Sequence, residues 1–206
     1  MGTELKNYPK KVFLRDGLEV SLRLMTPQDE AALLEFFKRL PEEDLMFLKE
    51  DVTDPAIIHR WAQTLDYDHV IPILAVIGDR VIGDATLHRE TYGWSQHVGE
   101  IRVVTCKDFR RKGLGMLLAK EIFFLALSLK LEKVIAEMMD TQNAAIEVFK
   151  AIGFEKEAIL KNHVKDTHGN RHNLLIMSQD VKTLWKKMDD LIRESFADLS
   201  GDYFSS

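Results

Sequence analysis

Apolar and polar residues alternate along residues 12–15 and again along 18–24, with Asp16-Gly17 between the two runs. A period of two on both sides of an Asp-Gly pair predicts two strands joined by a tight hairpin. The period then changes. Thr26-Pro27 supplies an N-cap and a first helical residue, and Ala31, Leu34, Phe37 and Leu40 follow at near-helical spacing, so a helix is expected over residues 27–40, closed by Pro41. Asp54-Pro55 repeats the start signal for a helix ending near Leu65. Residues 71–77 and 81–90 flank Gly78-Asp79-Arg80 and predict a pair of antiparallel strands.

The second half alternates between the two periods. Residues 97–105 form a β-branched run, and residues 112–131 carry Leu114, Leu117, Leu118, Ile122, Phe123 and Leu125 at helical spacing. A strand over 134–139, a helix over 141–151 and two strands, 155–165 and 173–178, joined by a polar turn at 166–170 complete the pattern. A strand–helix–strand unit beside antiparallel hairpins implies an α/β layer fold on a mixed, mostly antiparallel sheet. Val181, Leu184, Trp185, Met188, Leu191, Ile192 and Phe196 then recur at i, i+3, i+4 and i+7 spacing, which predicts a C-terminal amphipathic helix. Its apolar face either packs on the domain or meets a partner, for instance a second copy in a homodimer.

Composition narrows the class. Hydrophobic residues at 46% and charged residues at 30% match an ordinary globular chain, and 206 residues bury a core without help from disulfides or metals. No run nears the ~20 apolar residues of a membrane span, no signal-peptide h-region opens the chain, and the single cysteine, Cys106, leaves no internal disulfide framework. A reduced, cytoplasmic protein with no membrane partner is expected. The net charge of −5 argues against a nucleic-acid binder.

One segment carries chemistry: Asp108-Phe109-Arg110-Arg111-Lys112-Gly113-Leu114-Gly115, between a predicted strand and a long helix. A helix leaves its first N–H groups unpaired and carries partial positive charge at its start. Gly113 and Gly115 allow backbone N–H groups to approach a pyrophosphate closely, and Arg110, Arg111 and Lys112 add cationic charge there. The alternative is a basic helix start with two turn glycines. Other phosphate loops fit worse: position 118 is Leu where a dinucleotide fingerprint wants Gly, and no Gly-Lys-Ser/Thr run is present.

The surroundings decide between these readings. Glu100 stands ten residues ahead of Arg110, and the run Asp140-Thr141-Gln142-Asn143 opens a helix that ends in Phe149-Lys150-Ala151-Ile152-Gly153-Phe154. In motif and order, residues 98–154 resemble the Gcn5-related N-acetyltransferase (GNAT) superfamily. Arg15-Asp16-Gly17 and Leu24-Met25-Thr26-Pro27-Gln28-Asp29-Glu30 are further similar to the acetyltransferase domains of bacterial protein-lysine acetyltransferases. The resemblance implies a GNAT fold over residues 10–180, a helical tail over 181–206, and acetyl-CoA bound in a splayed strand–helix–strand core. It implies an N-acetyltransferase that uses no metal and transfers the acetyl group directly to a primary amine. Arg102, Val103 and Val104 would line the pantetheine arm, with backbone N–H groups near Val103 and Val104 holding the oxyanion. Residues 110–115 would hold the pyrophosphate, and Gln142 or Asn143 a pantetheine amide, helix capping being the alternative for that pair.

Glu100 is then the expected general base. Set in an otherwise apolar strand, burial is expected to raise its pKa toward the working range; the alternative is a strand-end glutamate paired with Arg102. The family's usual acid is a tyrosine four residues before Gly-Phe, and here that position is Phe149. Three readings follow: the thiolate leaves unaided, a residue such as Tyr92 or Cys106 supplies the proton, or the chain is an acyl-CoA-binding sensor without turnover. For Cys106, beside Lys107, thiolate character is the first reading and an ordinary buried or half-buried thiol the alternative. Tyr92, Trp94 and Asp84 are expected on the acceptor side, structural packing being the alternative. The histidines, His163, His168 and His172 among them, lack metal-site spacing. A protein lysine, a protein N-terminus, a free amino acid and a polyamine all remain open as acceptors.

Overall fold

The computed structural model describes residues 3–46, 48–166 and 168–181; the predicted tail helix lies outside the described residues. Strands β1 (Lys10–Phe13) and β2 (Glu19–Leu24) form the expected hairpin, with Val12 opposite Val20. The first strand ends two residues earlier than its pattern suggests, because Leu14 turns inward, 5% exposed, and its N–H donates to Leu18 O at 2.9 Å. At Thr26-Pro27 the chain makes a short 3₁₀ turn and then α1 (Glu30–Lys38). The Asp29 carboxylate accepts from Thr26 N at 2.7 Å and pairs with Arg23 at 2.5 Å, fixing the angle at which the helix leaves β2. A single turn, α2 (Glu42–Leu45), follows Pro41. Helix α3 (Pro55–Gln63) starts where Asp54-Pro55 predicts, with the Asp54 carboxylate accepting from Ala56 N at 2.9 Å.

The remaining elements are β3 (Val70–Ile77), β4 (Arg80–Arg89), β5 (Val98–Thr105), α4 (Leu114–Ser128), β6 (Lys133–Met139), α5 (Asn143–Ala151), β7 (Glu155–Lys165) and β8 (Arg171–Asp180). All eight strands join one sheet in the order β1-β2-β3-β4-β5-β6-β8-β7. Every neighbouring pair is antiparallel except β5 and β6, which α4 connects. The fold is therefore α/β with a mixed, mostly antiparallel sheet.

Helices α1 and α3 cover one face of the sheet, burying Phe36, Phe37 and Ile58, while α4 and α5 lie on the other. Each fully buried aliphatic or aromatic side chain contributes roughly 1.5–3 kcal/mol, so this double-sided core holds the sheet rigid around the site. Helix α4 lies close because β4 offers Gly83 beneath it. A Cβ there would stand 2.8 Å from Leu118 Cδ1. Among the described residues, no helix is long and apolar enough to cross a membrane.

Candidate active site

The sheet opens in one place. β5 and β6 pair only through Val98, Gly99 and Glu100 against Lys133, Val134 and Ile135. Beyond that point β5 continues on β4 as far as Thr105, and β6 continues on β8 as far as Met139. The two strands diverge, leaving a gap that begins at Glu100, with Arg102, Val103 and Val104 half-buried along its β5 edge.

The chain leaves β5 through a 3₁₀ turn at Lys107–Phe109, whose Phe109 ring is buried, and reaches α4 through two left-handed residues, Arg111 (φ 63°) and Gly113 (φ 92°). Helix α4 thus starts at Leu114, two residues later than the periodicity indicates, because Gly113 breaks the helical conformation at its N-cap. The N–H groups of Leu114, Gly115 and Met116 have no acceptor within the helix. Nothing crowds Gly115: the nearest side-chain atom to a Cβ built there would be Thr105 Cγ2 at 4.0 Å. These features fit a pyrophosphate. The Leu114 side chain is fully buried, so only its backbone faces such a group.

The β1–β2 hairpin braces this loop. Arg15 N donates to Lys112 O at 3.1 Å, Lys112 pairs with Asp16 at 3.1 Å, and Arg110 pairs with Asp44 of α2. Two of the three cations expected to meet phosphate are therefore tied to carboxylates, and Arg111 is exposed. At the far end of the gap, Gln142 Oε1 accepts from Met139 N at 2.8 Å, so its side chain fastens the end of β6 rather than capping α5. Asn143 is exposed in the first turn of α5.

On the opposite face, a cavity of about 380 Å³ lies between the sheet and α1 and α3. Its sheet wall is polar: Asp84, Thr86 and His88 alternate along β4, facing Glu100, Arg102 and Val104 of β5. Its helical wall is apolar, with Leu33, Phe37 and Trp61. Lys49, on the loop between α2 and α3, also lines the cavity. Its Nζ lies 2.9 Å from Glu100 Oε1 and 3.0 Å from Glu137 Oε2, joining the two diverging strands.

These contacts set the charges. Burial would raise the Glu100 carboxyl, but the Lys49 hydrogen bond and the charges of Lys49 and Arg102 outweigh it and hold it below the usual carboxylate range. The expectation that burial lifts Glu100 toward neutrality is thus corrected: Lys49, forty-nine positions into the chain and distant in sequence, supplies the cation. Arg102 also approaches Glu100, at 3.5 Å. Asp84 differs. Burial pushes it up to about 6 against a modest counter-effect of the Thr86 hydroxyl, which donates to it at 3.0 Å. Burial and Arg102 lower His88, leaving a neutral imidazole at pH 7 whose Nε2 is buried without a partner.

Phe149, at the family's acid position, is buried edge-on against Phe154, ring centroids 5.1 Å apart, and Phe154 meets Phe123 edge-on at 5.8 Å. Burial pushes the Cys106 thiol up, which removes the thiolate character considered for it. Tyr92 and Trp94 are 90% and 95% exposed and do not line the cavity, whereas Asp84 does. His172 pairs with Asp166 at 2.9 Å, and among the described residues no group of three or more metal-ligating side chains occurs.

A family profile, that of the acetyltransferase (GNAT) family, matches residues 31–154, more than half of the chain. The chain belongs to this family. No curated protein sequence matches it. Among solved structures, a ribosomal-protein-alanine N-acetyltransferase from Brucella melitensis is 25% identical, with a TM-score of 0.68 over 77% of this chain and 98% of that one. The GNAT domain of S. lividans PAT is 19% identical, with a TM-score of 0.71 over 84% and 97% of the two chains. The yncA protein of Salmonella typhimurium, solved with its cofactor acetyl-CoA, is 17% identical, with a TM-score of 0.68 over 79% and 94%.

The structure gathers Glu100, Arg102–Val104 and residues 110–115 along one strand and the loop that follows it. It adds Lys49, Glu137 and His88, which the residue pattern did not single out. For His88 a signal existed: Asp84, Thr86 and His88 are polar at every second position of an otherwise apolar strand. For Lys49 none did.

Proposed function

We propose that the chain transfers the acetyl group of acetyl-CoA directly to a primary amine, with Glu100 as the proton acceptor. One observation carries this reading: the β5–β6 gap opens at Glu100 and leads along β5 to the unpaired N–H groups that start α4. Bound acetyl-CoA would supply an activated acyl thioester. The N–H groups of Leu114, Gly115 and Met116, with Arg111, would hold its pyrophosphate. Arg110 and Lys112 would join them by exchanging Asp44 and Asp16 for phosphate. The free edge of β5 at Arg102, Val103 and Val104 would receive the pantetheine arm as it would another strand, and backbone N–H groups near Val103 and Val104 would stabilise charge developing on the acyl oxygen. Asn143 and the amide nitrogen of Gln142 remain candidates for the pantetheine amides.

Glu100 is ionised at neutral pH, so it can accept a proton from an acceptor ammonium on the cavity side. His88, a neutral imidazole, lines the same cavity. Since the Phe149 ring has no acidic proton to donate, we assign departure of the thiolate to the thiol's own acidity, pKa about 8.5 in its free form. We take residues 10–180 as the transferase unit, the span of the single sheet, with residues 181–206 appended.

The buried Phe149 also favours a second reading, an acyl-CoA sensor without turnover. Calorimetry with acetyl-CoA, paired with thiol release against lysine peptides, peptide N-termini, amino acids and polyamines, separates the two. The enzyme reading expects binding and release with at least one amine; binding with no release from any amine supports the sensor, and no binding contradicts both.

A further inference from the structure

Lys49 holds the place beside Glu100 that the proposed reaction would give to an acceptor amine. An amine awaiting an acyl group needs a base at hydrogen-bond distance and a position at the mouth of the gap, and Lys49 Nζ has both: Glu100 at 2.9 Å on one strand and Glu137 at 3.0 Å on the other. Two carboxylates from two diverging strands form an ammonium site, and the chain fills it with its own lysine. The Lys49 side chain is 55% exposed and belongs to the loop between α2 and α3.

Resting on the proposed transferase reading, we propose that Lys49 is an internal acceptor, acetylated in cis. The balance is that of any amine. Against the effect of burial, Glu100 and Glu137 raise the proton affinity of Lys49, so its free amine is the minor form at neutral pH. When Glu100 takes a proton from the ammonium, the freed lone pair forms a bond from Nζ to the acyl carbon, and the carbon–sulfur bond breaks with its electron pair on the coenzyme sulfur. Nitrogen gives up a second proton; one proton ends on the thiol and one in solvent. The product amide carries no charge to bridge Glu100 and Glu137, so the reaction also releases both carboxylates from their cation.

The test incubates the purified full chain with acetyl-CoA and reads intact mass and peptide maps. One acetyl group on Lys49 is expected, forming at a first-order rate independent of protein concentration, strongly slowed in Glu100→Gln and missing at that position in Lys49→Arg. Lys49→Arg keeps a cation between the two carboxylates but offers no comparable nucleophile. Acetyl groups scattered over exposed lysines at equal rates in wild type and Glu100→Gln, or a rate that rises with protein concentration, overturn the proposal. Thiol release with an added amine while Lys49 stays unmodified overturns it and leaves the transferase reading intact. Failure to bind acetyl-CoA removes both.

Discussion

On one side of the β5–β6 gap, the loop proposed to hold phosphate is built mostly of backbone. Gly113 sets a left-handed turn, the first N–H groups of α4 project free, and its principal braces come from β1–β2, whose residues lie together in sequence. On the other side, the proposed acceptor cavity is built of side chains from β3, β4, β5, α1, α3 and the loop carrying Lys49. A backbone site tolerates changes of side chain and fails when a bulky or anionic group enters it. A side-chain site responds to each charge, since every group there sets the proton affinity of another.

The contrast is open to direct attack. The largest effect is expected from Gly115→Glu, which places a carboxylate on the helix start at an uncrowded position. Acetyl-CoA binding should weaken at least about a hundredfold by calorimetry with little loss of thermal stability, because like charge at the phosphate site is strongly unfavourable. A variant that binds normally would move the phosphate site elsewhere.

Asp84→Asn probes the cavity with a smaller, opposite effect. The Asp84 carboxyl rises on folding from 3.8 to about 6, so the folded state binds its proton more tightly than the unfolded state and stability falls as pH rises between those values. Above pH 6 the buried charge costs at most about 3 kcal/mol. The asparagine variant should melt higher than wild type at pH 7, with the difference shrinking to nothing below pH 4. Equal melting at both pH values would mean that the charge is compensated.

Phe149→Tyr should change turnover least. A hydroxyl added among Phe154 and Phe123 costs roughly 1–3 kcal/mol of stability if it finds no partner, seen as a lower melting temperature. The rate of thiol release should stay close to wild type if the thiolate leaves unaided. A large gain in rate would show that departure of the thiolate limits turnover.

These two sides were legible in the sequence to different degrees. Hairpin, helices and strands followed from periodicity because most start at a strong local signal, such as Asp16-Gly17 or Asp54-Pro55, and the phosphate loop is one contiguous segment. Helix α4 starts late because Gly113 takes a conformation that a count of apolar residues does not register. Single turn α2 is too short to show a period. The gap itself depends on where β5 and β6 stop pairing, which no local pattern encodes. Glu100 was readable as a candidate but not its charge state, since Lys49 meets it from fifty-one positions away. The same holds for Gln142, whose side chain turns back to β6.

The account rests on Glu100 accepting the acceptor's proton, and Glu100→Gln measures that most directly. Thiol release should be followed from low to high pH in wild type and variant with the acceptor found by screening, and acetyl-CoA binding measured beside it. The account expects turnover to fall by about a hundredfold or more at low pH, where almost all amine is protonated, and by progressively less as pH rises and free amine appears, with acetyl-CoA binding unchanged. A variant as active as wild type across the whole pH range would contradict it.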